Sequence, residues 1–180
     1  MRTADNKFKI AVIGPESTGK TELSLWLASE LKGNYYPELA RDYIENLGRE
    51  YEKPDLDIIT QRQVEQYDTM LKSQNRIHIF DTELIITKIW YEWVYKLLPI
   101  DFKQYINYMQ FDLYLLCFPD IPWYPDSVRE NGGEARNQLF DIYNSELEYF
   151  GYHYGIVSGL DDERRQKALN IIKPFIKDYR

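Results

Sequence analysis

Between an apolar run at Phe8 to Ile13 and a helical pattern at Lys20 to Leu31 lies Gly14-Pro15-Glu16-Ser17-Thr18-Gly19-Lys20-Thr21. This segment fits G-x-x-x-x-G-K-[ST] without a mismatch. At average composition, a chain of 180 residues matches it by chance on the order of once in a few hundred sequences. Gly14 and Gly19 reach backbone conformations closed to residues with side chains, so consecutive N–H groups after Pro15, from Glu16 onward, can converge on one anion. The N-terminus of the following helix adds partial positive charge. Lys20 is placed to reach β- and γ-phosphates, and the Thr21 hydroxyl to bind Mg²⁺. The loop therefore predicts binding of a nucleoside triphosphate.

The rest of the chain alternates short apolar runs with longer helical patterns, which predicts an α/β fold with a parallel sheet covered by helices. Leu23, Leu27 and Leu31 share one helix face, and Gly33 stands at the stop. A strand at Tyr35 and Tyr36 leads into a helix over 38–47. A helix over 55–76, a strand over 77–80 and a helix over 83–98, stopped by Pro99, follow. A buried strand over 112–118, a helix over 134–150, a strand over 154–157 and a helix over 161–176 complete about five strands, each followed by helix. The expectation is one domain over 1–180.

A formal net charge of -7 argues against a nucleic-acid binder, which needs a basic face. Cys117 has no second cysteine to pair with, and together with His78 and His153 it gives no metal-site spacing. The longest apolar run, Leu113 to Phe118, is too short for a bilayer, and Met1 to Lys9 lacks the apolar stretch of a signal peptide. The expectation is a cytoplasmic protein without a membrane partner; self-association stays open.

Three clusters fall where strands end, the edge that binds ligands in open α/β sheets. In Pro37-Glu38-Leu39-Ala40-Arg41, Glu38 is placed to accept a hydroxyl proton and Arg41 to steady a phosphate. The plainer alternative is a helix-start acid paired with Arg41 on the surface. In Phe80-Asp81-Thr82-Glu83, Asp81 is placed to hold Mg²⁺ or a ribose hydroxyl, with Glu83 as a further candidate, unless Asp81 or Thr82 merely caps the next helix. The third cluster, over 119–136, has the prolines, glycines and Trp123 of a mobile lid. It carries Arg129 and Arg136 to offset charge on a transferring phosphoryl group and Asp126 as a substrate contact, or it is a surface loop packed by Trp123. Among the sixteen tyrosines, Tyr36 and Tyr67 join Trp123 as candidates to stack on a base, whereas Trp90, Tyr91 and Trp93 read as packing. By topology alone, an adenine pocket is expected near Ser158-Gly159-Leu160, with Arg164 and Arg165 on the helix that follows.

In order, GPESTGKT, PELARDYI, FDTELIITK and DLYLLCFPDIPWYPDSVRE resemble the ribosylnicotinamide kinase domain of bacterial NadR proteins, from about Phe8 to Ile176. The resemblance implies a three-layer P-loop NTPase fold with a five-stranded parallel sheet and a mobile lid. It implies transfer of phosphate from ATP, with Mg²⁺, to the 5′-hydroxyl of nicotinamide riboside. It places Gly14 to Thr21 around ATP, Glu38 and Arg41 beside the nucleoside, Asp81 near ribose and metal, and Arg129 over the phosphates. Family members hold the base between two aromatic rings. The matching places here are Pro37, next to Tyr36, and Gln66, next to Tyr67. The His-x-Gly-His motif of the adenylyltransferase domain that full NadR proteins carry is not found, so the kinase alone is expected. Without the resemblance, the residues also allow a kinase of another nucleoside, a kinase of a vitamin alcohol such as thiamine, or a nucleotide-dependent switch. The last lacks a water-orienting Gln beside Asp81.

Overall fold

The computed structural model describes residues 7–124 and 131–176. Strands β1 (Phe8–Ile13), β3 (Ile77–Asp81) and β4 (Leu113–Cys117) form the sheet centre, with β2 (Asn34–Tyr36) and β5 (Tyr154–Val157) at its edges. The order is β2-β3-β1-β4-β5, and every pairing is parallel. Central strands of such a sheet are covered on both faces, which is why FKIAVI, Lys9 apart, and LYLLC run apolar rather than alternating.

Side-chain alternation sorts these strands into two cores. Ile10, Val12, Ile79, Leu113 and Leu115 face α1 (Lys20–Glu30) and α7 (Asp161–Ile172), which contribute Leu23, Leu27, Ala168 and Ile172. Ala11, Ile13, Phe80, Tyr114 and Leu116 face the other way. There they meet α3 (Lys53–Leu71), α4 (Leu84–Tyr95), α5 (Phe102–Tyr108) and α6 (Glu134–Phe150). The short α2 (Leu39–Glu45) leans on α3 and buries none of its residues. The expected α/β three-layer arrangement with five parallel strands is thus the observed one. No helix among the described residues is long and apolar enough to cross a membrane.

The boundaries differ where local chemistry outweighs periodicity. Helix α3 starts two residues early because Glu52 and Asp55 form a capping box with Pro54 in the first turn. It stops at Leu71 rather than 76 because Asn75 ties down the turn before β3, donating to Lys32 O at 3.1 Å and Asn34 Oδ1 at 3.0 Å. Helix α5 was not expected; it spans seven residues and is held by Phe102 and Ile106, too few anchors for a period to show.

Candidate active site

The phosphate loop joins β1 to α1 as its motif requires. Gly14 has φ +142°, and a Cβ there would stand 2.7 Å from the Cys117 carbonyl of the neighbouring strand. Gly19 and Ser17 also have positive φ, the left-handed turns by which such a loop curls around an anion site. The Thr18 hydroxyl and Lys20 Nζ both donate to Pro15 O, at 2.8 and 2.9 Å.

Two buried arginines hold the loop from behind. Arg164, 4% exposed, donates to Thr18 O at 2.7 Å, Phe118 O at 3.0 Å, Gly159 O at 2.9 Å and Asp120 at 2.6 Å. Asp120 also accepts from Gly159 N, which locks the β5–α7 turn to the end of β4. Arg136 donates to Ser17 O and Ile121 O. Both side chains therefore act on the backbone of the expected ATP site. Arg165 lies outside, over Trp26 and paired with Glu22. Glu16 accepts from the backbone and side chain of Asn131, fastening the start of the loop to the segment before α6.

Opposite Lys20 stand the acids from the ends of β2 and β3. Burial pushes the Glu38 carboxyl above its ordinary range, an effect opposed by Lys20, reinforced by Asp81, and opposed by Arg41. Asp81, 1% exposed, is likewise raised by burial, with Thr21 and then Lys20 opposing. Its Oδ2 accepts from the Tyr35 hydroxyl at 3.3 Å, whereas Oδ1 is buried without a hydrogen-bond partner among the described residues. Thr82 follows with φ +72°, strained for a β-branched residue, and turns the chain into α4. The helix cap is Glu83, which accepts from Ile85 N and is pushed up to about 8 by burial. The cap therefore leaves Asp81 uncommitted.

A pocket opens beyond these acids, lined by Glu16, Lys20, Glu38 and Arg41 at its charged end. Its far walls are Tyr51, Trp90, Trp93 and Tyr143 with Ile44, Ile86 and Leu139. Trp90 meets Tyr51 edge to face at 4.9 Å and donates to its hydroxyl at 3.2 Å. The structure thus brings together the phosphate loop, Glu38, Arg41 and Asp81, but it does not bring Tyr36 or Tyr67 to the pocket. Tyr36 stacks on Phe80 at 4.3 Å inside the core and bonds His78; strand alternation gives the Asp81 contact to Tyr35 instead. Tyr67 points to the N-terminal edge of the sheet, where its hydroxyl donates to Gln110 O at 2.9 Å. Trp123 lies on Gly132, away from the pocket lining. Asp126 and Arg129 lie outside the described residues. Trp90 and Trp93, expected as packing, are pocket walls; their place three apart on the helix that leaves the site after Asp81 was the usable signal.

The wall that carries Arg41 and Tyr51 is fixed by Asp55. This residue accepts from Arg49 at 2.8 and 2.9 Å, from Tyr43 at 2.7 Å and from Glu52 N at 2.7 Å. The Arg49 guanidinium and the Glu52 amide hold its carboxyl far below the usual range. A depressed carboxylate contributes stability that is full above the unfolded value near 3.9 and is lost as pH falls toward the folded one. From about pH 5 downward, where that loss sets in and continues below the unfolded value, the melting temperature of the native chain is expected to fall faster than that of Asp55→Asn. Parallel slopes in a calorimetric pH series would remove this role.

Comparison with known proteins bears on the fold that carries this site. The family model described as AAA domain matches residues 9–165. No curated protein matches the sequence. Among solved structures, a NadR protein in complex with NR superposes with a TM-score of 0.78 and 24% identity, covering 94% of this chain and 51% of that one. A NadR protein in complex with NAD and AMP-PNP gives 0.77 and 23%, covering 94% and 49%. The chain therefore spans about half the length of these NadR structures. A deoxyadenosine kinase from M. mycoides, with products dcmp and dcdp, gives 0.67 and 16%, covering 93% and 100%. What is shared across these structures is the fold.

Proposed function

Because the chain belongs to the AAA domain family and its phosphate loop stands opposite two acids raised by burial, Glu38 and Asp81, beside a pocket walled by aromatic rings, we propose that it is a small-molecule kinase. It transfers the γ-phosphate of ATP to the 5′-hydroxyl of a nucleoside, nicotinamide riboside first among them. The observation that carries this reading is the mutual field of Glu38, Asp81 and Lys20. An acid raised by burial is a better base toward an alcohol, and a cation beside it favours a phosphate at the same place.

In this reading the loop amides and Lys20 grip the triphosphate. The nucleoside lies in the pocket with its base near Trp90 and Tyr51 and its 5′-hydroxyl at Glu38. Glu38 takes the hydroxyl proton as the 5′-oxygen bonds to the γ-phosphorus and the bond to the β–γ bridging oxygen breaks, leaving ADP. Arg41 offsets charge on the moving group. Mg²⁺ suits this site: Asp81 Oδ1 is a buried carboxylate oxygen that accepts no hydrogen bond, and Thr21 stands beside it. These two residues would hold the ion, which neutralises phosphate charge when bound. The NadR complex with NR supports the choice of acceptor, as do aromatic faces suited to a cationic pyridinium base.

Incubation with Mg-ATP and a panel of nucleosides and vitamin alcohols tests the reading. Nicotinamide riboside is expected to give its 5′-mononucleotide in equal amount to ADP. ADP release at background with every compound would end the kinase reading, and a faster purine or pyrimidine nucleoside would reassign the acceptor.

A further inference from the structure

The acceptor pocket contains one polar pair that no step above uses. Gln63 on α3 and Thr87 on α4 both line it and are 4% and 1% exposed. The Thr87 hydroxyl donates to Gln63 Oε1 at 2.8 Å. This bond occupies the acceptor end of the amide and fixes which way it points. Among the described residues the other end, Nε2, has no hydrogen-bond partner. Nε2 is also absent from the fully enclosed, unpartnered polar atoms, so it keeps some exposure, and the space that Gln63 borders is this pocket. The surrounding wall is apolar, formed by Ile86, Ile89 and Trp90 of the same helix α4. A buried amide donor in such a wall is costly until a bound molecule brings it an acceptor.

We propose that Gln63 is a specificity residue whose Nε2 donates to a carbonyl oxygen on the base of the acceptor, selecting nucleosides that carry a carboxamide or ring keto group. The inference rests on the nucleoside-kinase reading. Thr87 is the positioning residue, since an amide released from it can turn and present either end. Sites of this kind discriminate strongly, because an analogue lacking the acceptor leaves the donor buried and unpaired.

The test compares nicotinamide riboside with the pyridine riboside that lacks the carboxamide, by steady-state kinetics. The native chain is expected to favour the carboxamide by about 10²-fold in kcat/KM. Gln63→Met is expected to remove about 10²-fold from the carboxamide substrate, carried by KM, while the pyridine riboside is unchanged. Gln63→Glu keeps the size, places repulsion against a carbonyl, and is expected to lose the same preference. Thr87→Val is expected to lower the preference about tenfold, and ATP binding by calorimetry is expected to stay native in all three. Parallel losses for both ribosides would mean a packing role and overturn the proposal. So would a native chain that phosphorylates both equally. A native chain that phosphorylates no nucleoside overturns the underlying reading instead.

Discussion

Glu38→Gln is expected to lower kcat for nucleoside phosphorylation by about 10²-fold or more while leaving ATP affinity near native. The amide keeps the shape of the side chain but cannot take the hydroxyl proton. Because burial raises the Glu38 carboxyl, the native rate is expected to climb with pH as that group ionises. The limb assigned to Glu38 should vanish in the variant. Stability should move the opposite way. A carboxyl raised on folding stabilises the fold below its unfolded value and loses that contribution as pH rises through the folded one. At neutral pH burial therefore disfavours the Glu38 carboxylate by more than Lys20 and Arg41 recover, and Glu38→Gln is expected to melt a few degrees higher, at roughly 2–4 °C per kcal/mol for a chain of this size. A variant with native kcat, or with an unchanged acid limb, would remove Glu38 from the chemistry.

Arg164→Ala is expected to produce the largest loss of stability. Its guanidinium serves Thr18 O, Phe118 O, Gly159 O and Asp120 at once. Truncation strands the buried Thr18 carbonyl and removes the shared donor of Phe118 O, Gly159 O and Asp120. Losing a buried donor that serves several acceptors at once costs about 2–4 kcal/mol, a fall of roughly 4–16 °C in melting temperature at this size. Lysine cannot rescue it, since one ammonium does not span four acceptors held by a planar fork. Nucleotide affinity should weaken together with stability, because Thr18 O belongs to the phosphate loop. A drop of only a degree or two in calorimetry would show that the loop stands without this support.

The order of elements and the donor end of the site were legible in the sequence because both are local. The 14–21 loop writes its function into consecutive residues, and FKIAVI or LYLLC can only be doubly covered strands. The acceptor end was not legible, because its walls come from four helices whose relative rotation no local pattern records. Tyr36 and Tyr67 stand beside the expected positions, yet strand alternation and the tilt of α3 turn them inward. Trp90 and Tyr51, distant in sequence, meet only because α4 leaves the sheet beside α3. Arg164 was assigned to an adenine pocket by proximity. Its actual work depends on Thr18 and Phe118 arriving from other parts of the chain, which a linear reading does not show.

The two halves of the crevice are made of different materials. The side that meets phosphate is mostly main chain, curled by glycines and clamped by arginines, so its shape survives most exchanges of exposed side chains. The side that meets the cargo is a lining of removable groups on α2, α3, α4 and α6. Under the proposed function, alterations there would retune which acceptor is taken while leaving the loop that holds the donor intact, so a handful of substitutions would redirect the scaffold.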